Sequence, residues 1–70
     1  MIGTVKWFSA DRQYGFILHE DKEIFVHGNE IKSGEETLEK DQIVSFELKP
    51  ARKGYQACNV NVMWMDGNVI

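Results

Sequence analysis

Residues 12–19 have the sequence Arg12-Gln13-Tyr14-Gly15-Phe16-Ile17-Leu18-His19. Tyr14 and Phe16 are two positions apart, so both rings leave the same face of a β-strand. Ile17 and His19 share the opposite face with Gly15, and the glycine lets another backbone or a ligand approach closely. Two neighbouring rings that face water are a poor use of apolar area in a small domain. They are useful as a platform on which unpaired bases stack.

A second segment supplies partners for these rings. Ile24-Phe25-Val26-His27 alternates cleanly, with Ile24 and Val26 on one side and Phe25 and His27 on the other. In an antiparallel sheet, Phe25 and His27 join the two rings of the preceding strand on one surface. The sequence therefore predicts one aromatic surface shared by two strands.

The chain begins with a predicted strand from Ile2 to Ser9, which is rich in β-formers. Val5 points inward, and strict alternation would turn Trp7 inward with it. If Lys6 and Trp7 both serve the outer surface, this strand must carry a bulge or a strong coil.

The second half of the chain predicts a long connection and two further strands. The polar connection from Gly28 to Asp41 is anchored by Ile31 and Leu38, with a short helical turn over Asn29 to Lys32 that Asn29 caps. The strands then cover Gln42 to Lys49, ended by Pro50, and Tyr55 to Met63, separated by a basic turn at residues 51–54. Their predicted inward residues are Val44, Phe46, Leu48, Cys58, Val60 and Val62, and Ala57, Asn59 and Asn61 are predicted to face outward.

Five short strands without a long helix predict an all-β protein, a five-stranded antiparallel barrel. Seventy residues make one domain over residues 1–70, with residues 63–70 as a C-terminal extension. Eight basic and eleven acidic residues give a net charge of −3, so any binding to nucleic acid should be modest and salt-sensitive. The lone Cys58, the lack of a membrane-spanning run and the lack of a signal peptide predict a cytoplasmic location.

The same sequence argues against an enzyme. A chain of this size favours a shallow binding surface over a deep pocket. One cysteine and two histidines give no zinc-ligand spacing, and no nucleophile, base and orienting group cluster. We therefore expect no catalytic residue, metal, cofactor or small-molecule substrate.

Three segments in order carry a resemblance: Gly3-Thr4-Val5-Lys6-Trp7-Phe8, Tyr14-Gly15-Phe16-Ile17 and Ile24-Phe25-Val26-His27. With these segments the chain resembles the cold-shock domain family, and the similarity runs from about Ile2 to Val62. The resemblance implies a barrel of the oligonucleotide-binding fold, with single-stranded DNA or RNA lying across the first three strands. It also implies an RNA chaperone or a regulator of transcription and translation, acting with low sequence specificity.

By position, the resemblance assigns the site. The family's basic positions beside the bound single-stranded nucleic acid match Lys6, Arg12 and Lys53. The family's base-stacking residues match Trp7, Tyr14, Phe16, Phe25 and His27. Three departures predict weaker binding than the family pattern implies. Gly28 and Glu35 stand where rings are common, and Gln13 stands where glycine is usual.

Several alternatives remain open at this point. The rings could fill the barrel core, and the basic side chains could serve solubility alone. The extension could be an overrunning strand in which Trp64 covers the barrel edge, or an apolar patch that recruits a partner. A homodimer could form through that extension or by strand exchange across residues 28–41. The competing function is a protein-interaction module on the same fold, with weak or lost nucleic-acid binding.

Overall fold

The computed structural model describes residues 1–34, 37–52 and 54–64, apart from the side chain of Trp64. The strands are β1 (Ile2–Ser9), β2 (Tyr14–His19), β3 (Lys22–His27), β4 (Ile43–Ala51) and β5 (Gly54–Trp64), with a 3₁₀ turn at Gly28–Glu30. No helix within this described part of the chain has the length and apolarity needed to span a membrane.

The strands form a closed barrel in the order β1-β2-β3-β5-β4, which confirms the predicted five-stranded all-β fold. Neighbouring strands run antiparallel except β3 and β5, which pair in parallel at Phe25 with Gln56 and Val26 with Ala57. A parallel pair requires a long crossover. The connection from Gly28 and strand β4 supply it.

The barrel core is apolar and consists of Val5, Ile17, Ile24, Val26, Leu38, Val44, Phe46, Ala57 and Val60. Phe8, Ile31, Leu48 and Val62 are partly buried against it. The predicted anchors of the long connection, Ile31 and Leu38, are therefore confirmed. The alternation predicted for β2 and β3 is confirmed as well, because Ile17, Ile24 and Val26 all point into the barrel.

The predicted bulge in β1 is present. Val5 pairs with Ile17 and Trp7 with Phe16, so Lys6 is an extra residue without a counterpart in β2. Val5 is buried while Trp7 is exposed, because the extra residue interrupts the alternation between them.

A second bulge lies in β5 and corrects the predicted orientation of two residues. Asn59 has a positive φ of 50° and is an extra residue just beyond the pairing of Cys58 with Glu47. The alternation of inward and outward side chains along β5 shifts by one residue at that point. Ala57 and Val60 are therefore both fully buried, and Cys58 is only half-buried. The prediction of an inward Cys58 and an outward Ala57 was wrong, since no local pattern marked the bulge.

The predicted ends of three elements also need correction. Pro50 does not end β4, because it pairs with Tyr55 at a position where β4 has left β1 and only β5 is its neighbour. The helical turn is capped by His27, whose Nδ1 accepts from the N–H of Asn29 at 3.1 Å, so Asn29 is not the cap. β3 begins before Ile24, because positive φ at Glu20 and Asp21 makes the two-residue turn of a tight hairpin.

Candidate nucleic-acid interface

The predicted aromatic side chains converge on the outer surface of β1, β2 and β3. The ring centroids of Trp7 lie 5.4 Å from those of both Tyr14 and Phe16. Phe25 is stacked on Tyr14 at 5.7 Å and meets Phe16 edge-on at 5.9 Å. His27 is directly opposite Tyr14 in the β2–β3 ladder. We call the side chains of Trp7, Tyr14, Phe16, Phe25 and His27 the aromatic face.

The aromatic face is not part of the core. Trp7 is 38% exposed, the other members are half-buried, and none belongs to the buried apolar cluster. The interpretation of these rings as core filling was therefore wrong. Edge-to-face and tilted contacts fix the rings against each other and leave their outer surfaces available to a flat ligand.

Two local features of the sequence build this face. The extra residue Lys6 turns Trp7 outward and sets it opposite Phe16. Gly15 lies where β1 crosses β2 at close range, since a Cβ there would be 2.2 Å from the carbonyl oxygen of Trp7 and 2.7 Å from the Cα of Phe8. The predicted close approach at Gly15 is thus confirmed, and the approaching group is the backbone of β1.

The predicted basic residues are placed differently from one another. The Lys6 ammonium is 2.6 Å from a carboxylate oxygen of Glu23, with the two side chains 42% and 49% exposed. Arg12 is exposed in the turn before β2, where its backbone N–H donates to the Ser9 hydroxyl at 3.2 Å. A phosphate that binds Lys6 must therefore compete with Glu23. Lys53, Glu35 and residues 65–70 lie outside the described residues.

His27 presents a defined edge at the end of the aromatic face. Its Nδ1 accepts from the Asn29 N–H, so the neutral ring carries its proton on Nε2. Beside it, the Gly28 N–H donates to the carbonyl of Gln13 at 2.8 Å, and the Gln13 amide donates to the carbonyl of Ala10 at 2.8 Å. Gln13 thus ties the turn before β2 to the end of β3.

Comparison with known proteins agrees with this geometry. Residues 1–63 match the family model described as the 'Cold-shock' DNA-binding domain. The chain belongs to the cold-shock domain family. It is therefore a nucleic-acid-binding cold-shock protein.

Several relatives are similar over most of their length. Cold shock protein 1 of Lactiplantibacillus plantarum is 50% identical over 60 residues, which cover 83% of this chain and 91% of the relative. The Cold shock-like protein of Aquifex aeolicus is 48% identical over 64 residues, covering 87% and 91%. The Cold shock-like protein CspG of Escherichia coli K12 is 44% identical over 63 residues, covering 86% and 90%.

This cold-shock domain also has a groove beside the aromatic face that the sequence did not reveal. The groove has a volume of about 330 Å³ and is lined by Phe16, Glu23, Phe25, Ala51, Arg52, Tyr55 and Gln56. It exists because β5 pairs in parallel with β3, which brings the β4–β5 hairpin next to Phe25. Local alternation around Tyr55 gave no signal for this long-range pairing.

An ion pair anchors the start of the long connection to the barrel. The Lys49 ammonium donates to the Glu30 carboxylate at 2.6 Å, which lowers the pKa of Glu30 and raises the pKa of Lys49. The backbone N–H of Asn59 also hydrogen-bonds Glu30 and lowers its pKa further. The carboxylate thereby connects the 3₁₀ turn, β4 and the β5 bulge. Within the described residues, no three His, Cys, Asp or Glu side chains gather as metal ligands do.

Proposed function

We propose that this cold-shock domain binds single-stranded DNA or RNA with low sequence specificity across the aromatic face. Unpaired bases stack on Trp7, Tyr14, Phe16 and Phe25. The observation that carries the proposal is that these rings touch one another in one outward-facing cluster, although a barrel of this size has a core in which to bury them. Every base has a flat π-face, so stacking tolerates any sequence.

Polar side chains complete the proposed site. His27 donates from Nε2 to a base or phosphate, and Lys6, Arg12 and Lys53 hold the phosphates of the backbone. Lys6 exchanges its partner Glu23 for phosphate on binding. The net charge of −3 and this internal competition support modest, salt-dependent affinity.

In the cell, we propose that the protein acts as an RNA chaperone or as a regulator of transcription and translation in the cytoplasm. Binding to unpaired strands stabilises them relative to hairpins by mass action. Modest affinity and fast exchange suit a chaperone, because it must release its RNA. The mechanism needs no nucleotide hydrolysis and no catalytic group.

A fluorescence titration tests the binding. A short pyrimidine oligonucleotide is added at low salt while Trp7 emission is followed, in a Trp64→Phe background that removes the second indole. We expect Phe16→Ala and Phe25→Ala each to lose about 1–3 kcal/mol of binding free energy. Ile2→Ala is the matched control, because Ile2 is 56% exposed and pairs with Ser45 of β4, away from the rings. Equal binding by all variants would refute the proposed function.

The same titration separates the competing function from this one. If no oligonucleotide quenches Trp7, and sedimentation shows a dimer that dissociates when residues 63–70 are removed, the domain is a protein-interaction module. Quenching by oligonucleotides with a monomeric sedimentation profile would exclude that alternative.

A further inference from the structure

We propose that a pocket on the outer surface of β4 and β5 binds the primary ammonium group of a small aliphatic amine. The pocket has a volume of about 230 Å³ and is lined by Met1, Ser45, Phe46, Glu47, Asn59 and Asn61. It shares no residue with the aromatic face, so the site is independent of nucleic-acid binding.

The register of β4 and β5 gathers polar side chains around this pocket. Ser45 and Glu47 are two positions apart and face outward, because the residue between them is buried in the core. Ser45 pairs with Asn61 on β5. The bulge at Asn59 lies between that pair and the pairing of Glu47, so it adds a second amide to the same surface.

Hydrogen bonds at the bulge determine which atoms a ligand meets. The Nδ2 of Asn59 donates to the Oε1 of Glu47 at 2.9 Å, and the Nδ2 of Asn61 donates to the backbone carbonyl of Asn59 at 3.2 Å. A carboxylate and a carbonyl only accept, so each amide is fixed with its nitrogen bonded within the protein. The two amide oxygens and the Oε2 of Glu47 are left to accept from a ligand, and the Ser45 hydroxyl can accept as well.

Asn59 is held rigidly in a backbone conformation that residues other than glycine rarely adopt, with a φ of 50°. Its backbone N–H bonds the Glu30 carboxylate, its carbonyl accepts from Asn61, and its side chain donates to Glu47. Strained residues that are fixed in this way concentrate at ligand sites. The bulge therefore presents a preorganised set of acceptors.

The acceptors select a primary ammonium group among organic cations. Such a group has three N–H donors around a compact charge, which suits oxygens contributed by a carboxylate, amides and a hydroxyl. A guanidinium group favours both oxygens of one carboxylate, but the Oε1 of Glu47 is already bonded to Asn59. The net charge of −3 adds a general attraction for cations.

Met1 restricts the occupant further. Its ammonium donates to the Phe46 carbonyl at 2.9 Å and lines the pocket, so it repels a divalent metal ion more strongly than a singly charged amine. Glu47 is the only carboxylate among the described residues that line the pocket, which is too little negative charge for a divalent ion. The exposed, flexible side chain of Met1 offers an apolar contact for the aliphatic part of the amine.

An NMR titration tests the site. n-Butylammonium chloride is added at constant ionic strength while the side-chain amide resonances are followed. We expect saturable shifts at Asn59 and Asn61, with the amide of Asn29 in the 3₁₀ turn as an unmoved internal control. Tetramethylammonium chloride carries the same charge without an N–H donor and should cause no saturable shift. Equal saturable shifts with both cations, or tighter binding of magnesium chloride, would overturn the proposal.

Variants of the lining residues test the contacts separately. Glu47→Gln removes the charge but keeps an oxygen that accepts from Asn59, so we expect the affinity for n-butylammonium to fall about fivefold or more. Ser45→Ala should cost about twofold. Glu39→Gln makes the same change in net charge away from the pocket and should bind like the parent. Unchanged affinity in Glu47→Gln, or an equal loss in Glu39→Gln, would show that no specific ammonium site exists.

Discussion

Gln13 occupies the space in which a side chain at Gly28 would begin. A Cβ on Gly28 would lie 2.4 Å from the Oε1 of Gln13, and the two backbones are joined by a 2.8 Å hydrogen bond. The sequence predicts that both positions depart from the family pattern, and in the structure the two are complementary in shape. The side chain of Gln13 therefore fills the space that a ring at position 28 would need.

This linkage predicts a non-additive effect on binding. Gly28→Phe alone must displace the Gln13 amide from its bond to Ala10, whereas Gln13→Gly removes the obstruction and suits the φ of 59° at that position. We expect the double variant to bind a pyrimidine oligonucleotide more tightly than the parent by roughly 1 kcal/mol or more, which is the lower end of the binding free energy of one stacked base. A double-mutant cycle measured by fluorescence titration checks this, and simple additivity of the two single changes would contradict it.

Removing the carboxylate that holds Lys6 should strengthen binding. Glu23→Gln releases the ammonium from its 2.6 Å contact, so we expect higher affinity at low salt and a log–log salt slope steeper by roughly 0.7. Glu39→Gln is the matched control, because Glu39 is exposed in the long connection and the change in net charge is the same. If both variants gain equally, the effect is one of overall charge and Lys6 has no special part in it.

The contact between β1 and β2 should not tolerate a side chain at Gly15. Gly15→Ala drives a Cβ into the backbone of Trp7 and Phe8, so we expect a loss of about 1–3 kcal/mol in the free energy of unfolding. Gly28→Ala meets mainly the flexible end of Gln13, and it should cost clearly less. Urea unfolding of both variants provides the measurement. Similar midpoints for the two would show that the β1–β2 approach is less rigid than the geometry indicates.

The Glu30–Lys49 pair predicts a specific pH dependence of stability. Glu30 has a lowered pKa, so its contribution is full above the ordinary carboxyl range and is lost as pH falls through the lowered pKa. Lys49 has a raised pKa, so its contribution is lost only as pH rises through that raised value. We expect the stability gap between the parent and Glu30→Gln to be constant near neutrality and to shrink only as the pH falls below the ordinary carboxyl range and through the lowered pKa of Glu30.

Urea unfolding across this pH range measures that gap, with Glu39→Gln as a control for general charge effects. The stability of Glu39→Gln relative to the parent should show no comparable decline. A gap for Glu30→Gln that persists unchanged in acid would show that the carboxylate acts by packing and not by its charge.

Local patterns in the sequence were enough to predict much of the fold. Alternation placed Ile17, Ile24 and Val26 inside and their neighbours outside, and the conflict between Val5 and Trp7 predicted the β1 bulge. These inferences succeeded because each depends on residues adjacent in the chain or on one antiparallel partner.

Long-range geometry set the features that the sequence did not predict. The Asn59 bulge depends on a positive φ and on hydrogen bonds to Glu47 and Glu30 from distant segments. The contact of Lys6 with Glu23, the parallel β3–β5 pair and the groove at Tyr55 arise only when the barrel closes. The binding roles of the individual site residues remain predictions, and that of Lys53 lies outside the described structure.

The most direct test of base stacking on the aromatic face is an NMR titration of the aromatic ring protons with a short single-stranded pyrimidine oligonucleotide. Ring currents from stacked bases should move the resonances of Trp7, Phe16 and Phe25. The ring of Phe46 is an internal control, because it is buried in the barrel core and should not shift. Saturable shifts confined to the aromatic face are the predicted result. Saturable binding that leaves the Trp7, Phe16 and Phe25 resonances unmoved would contradict the account.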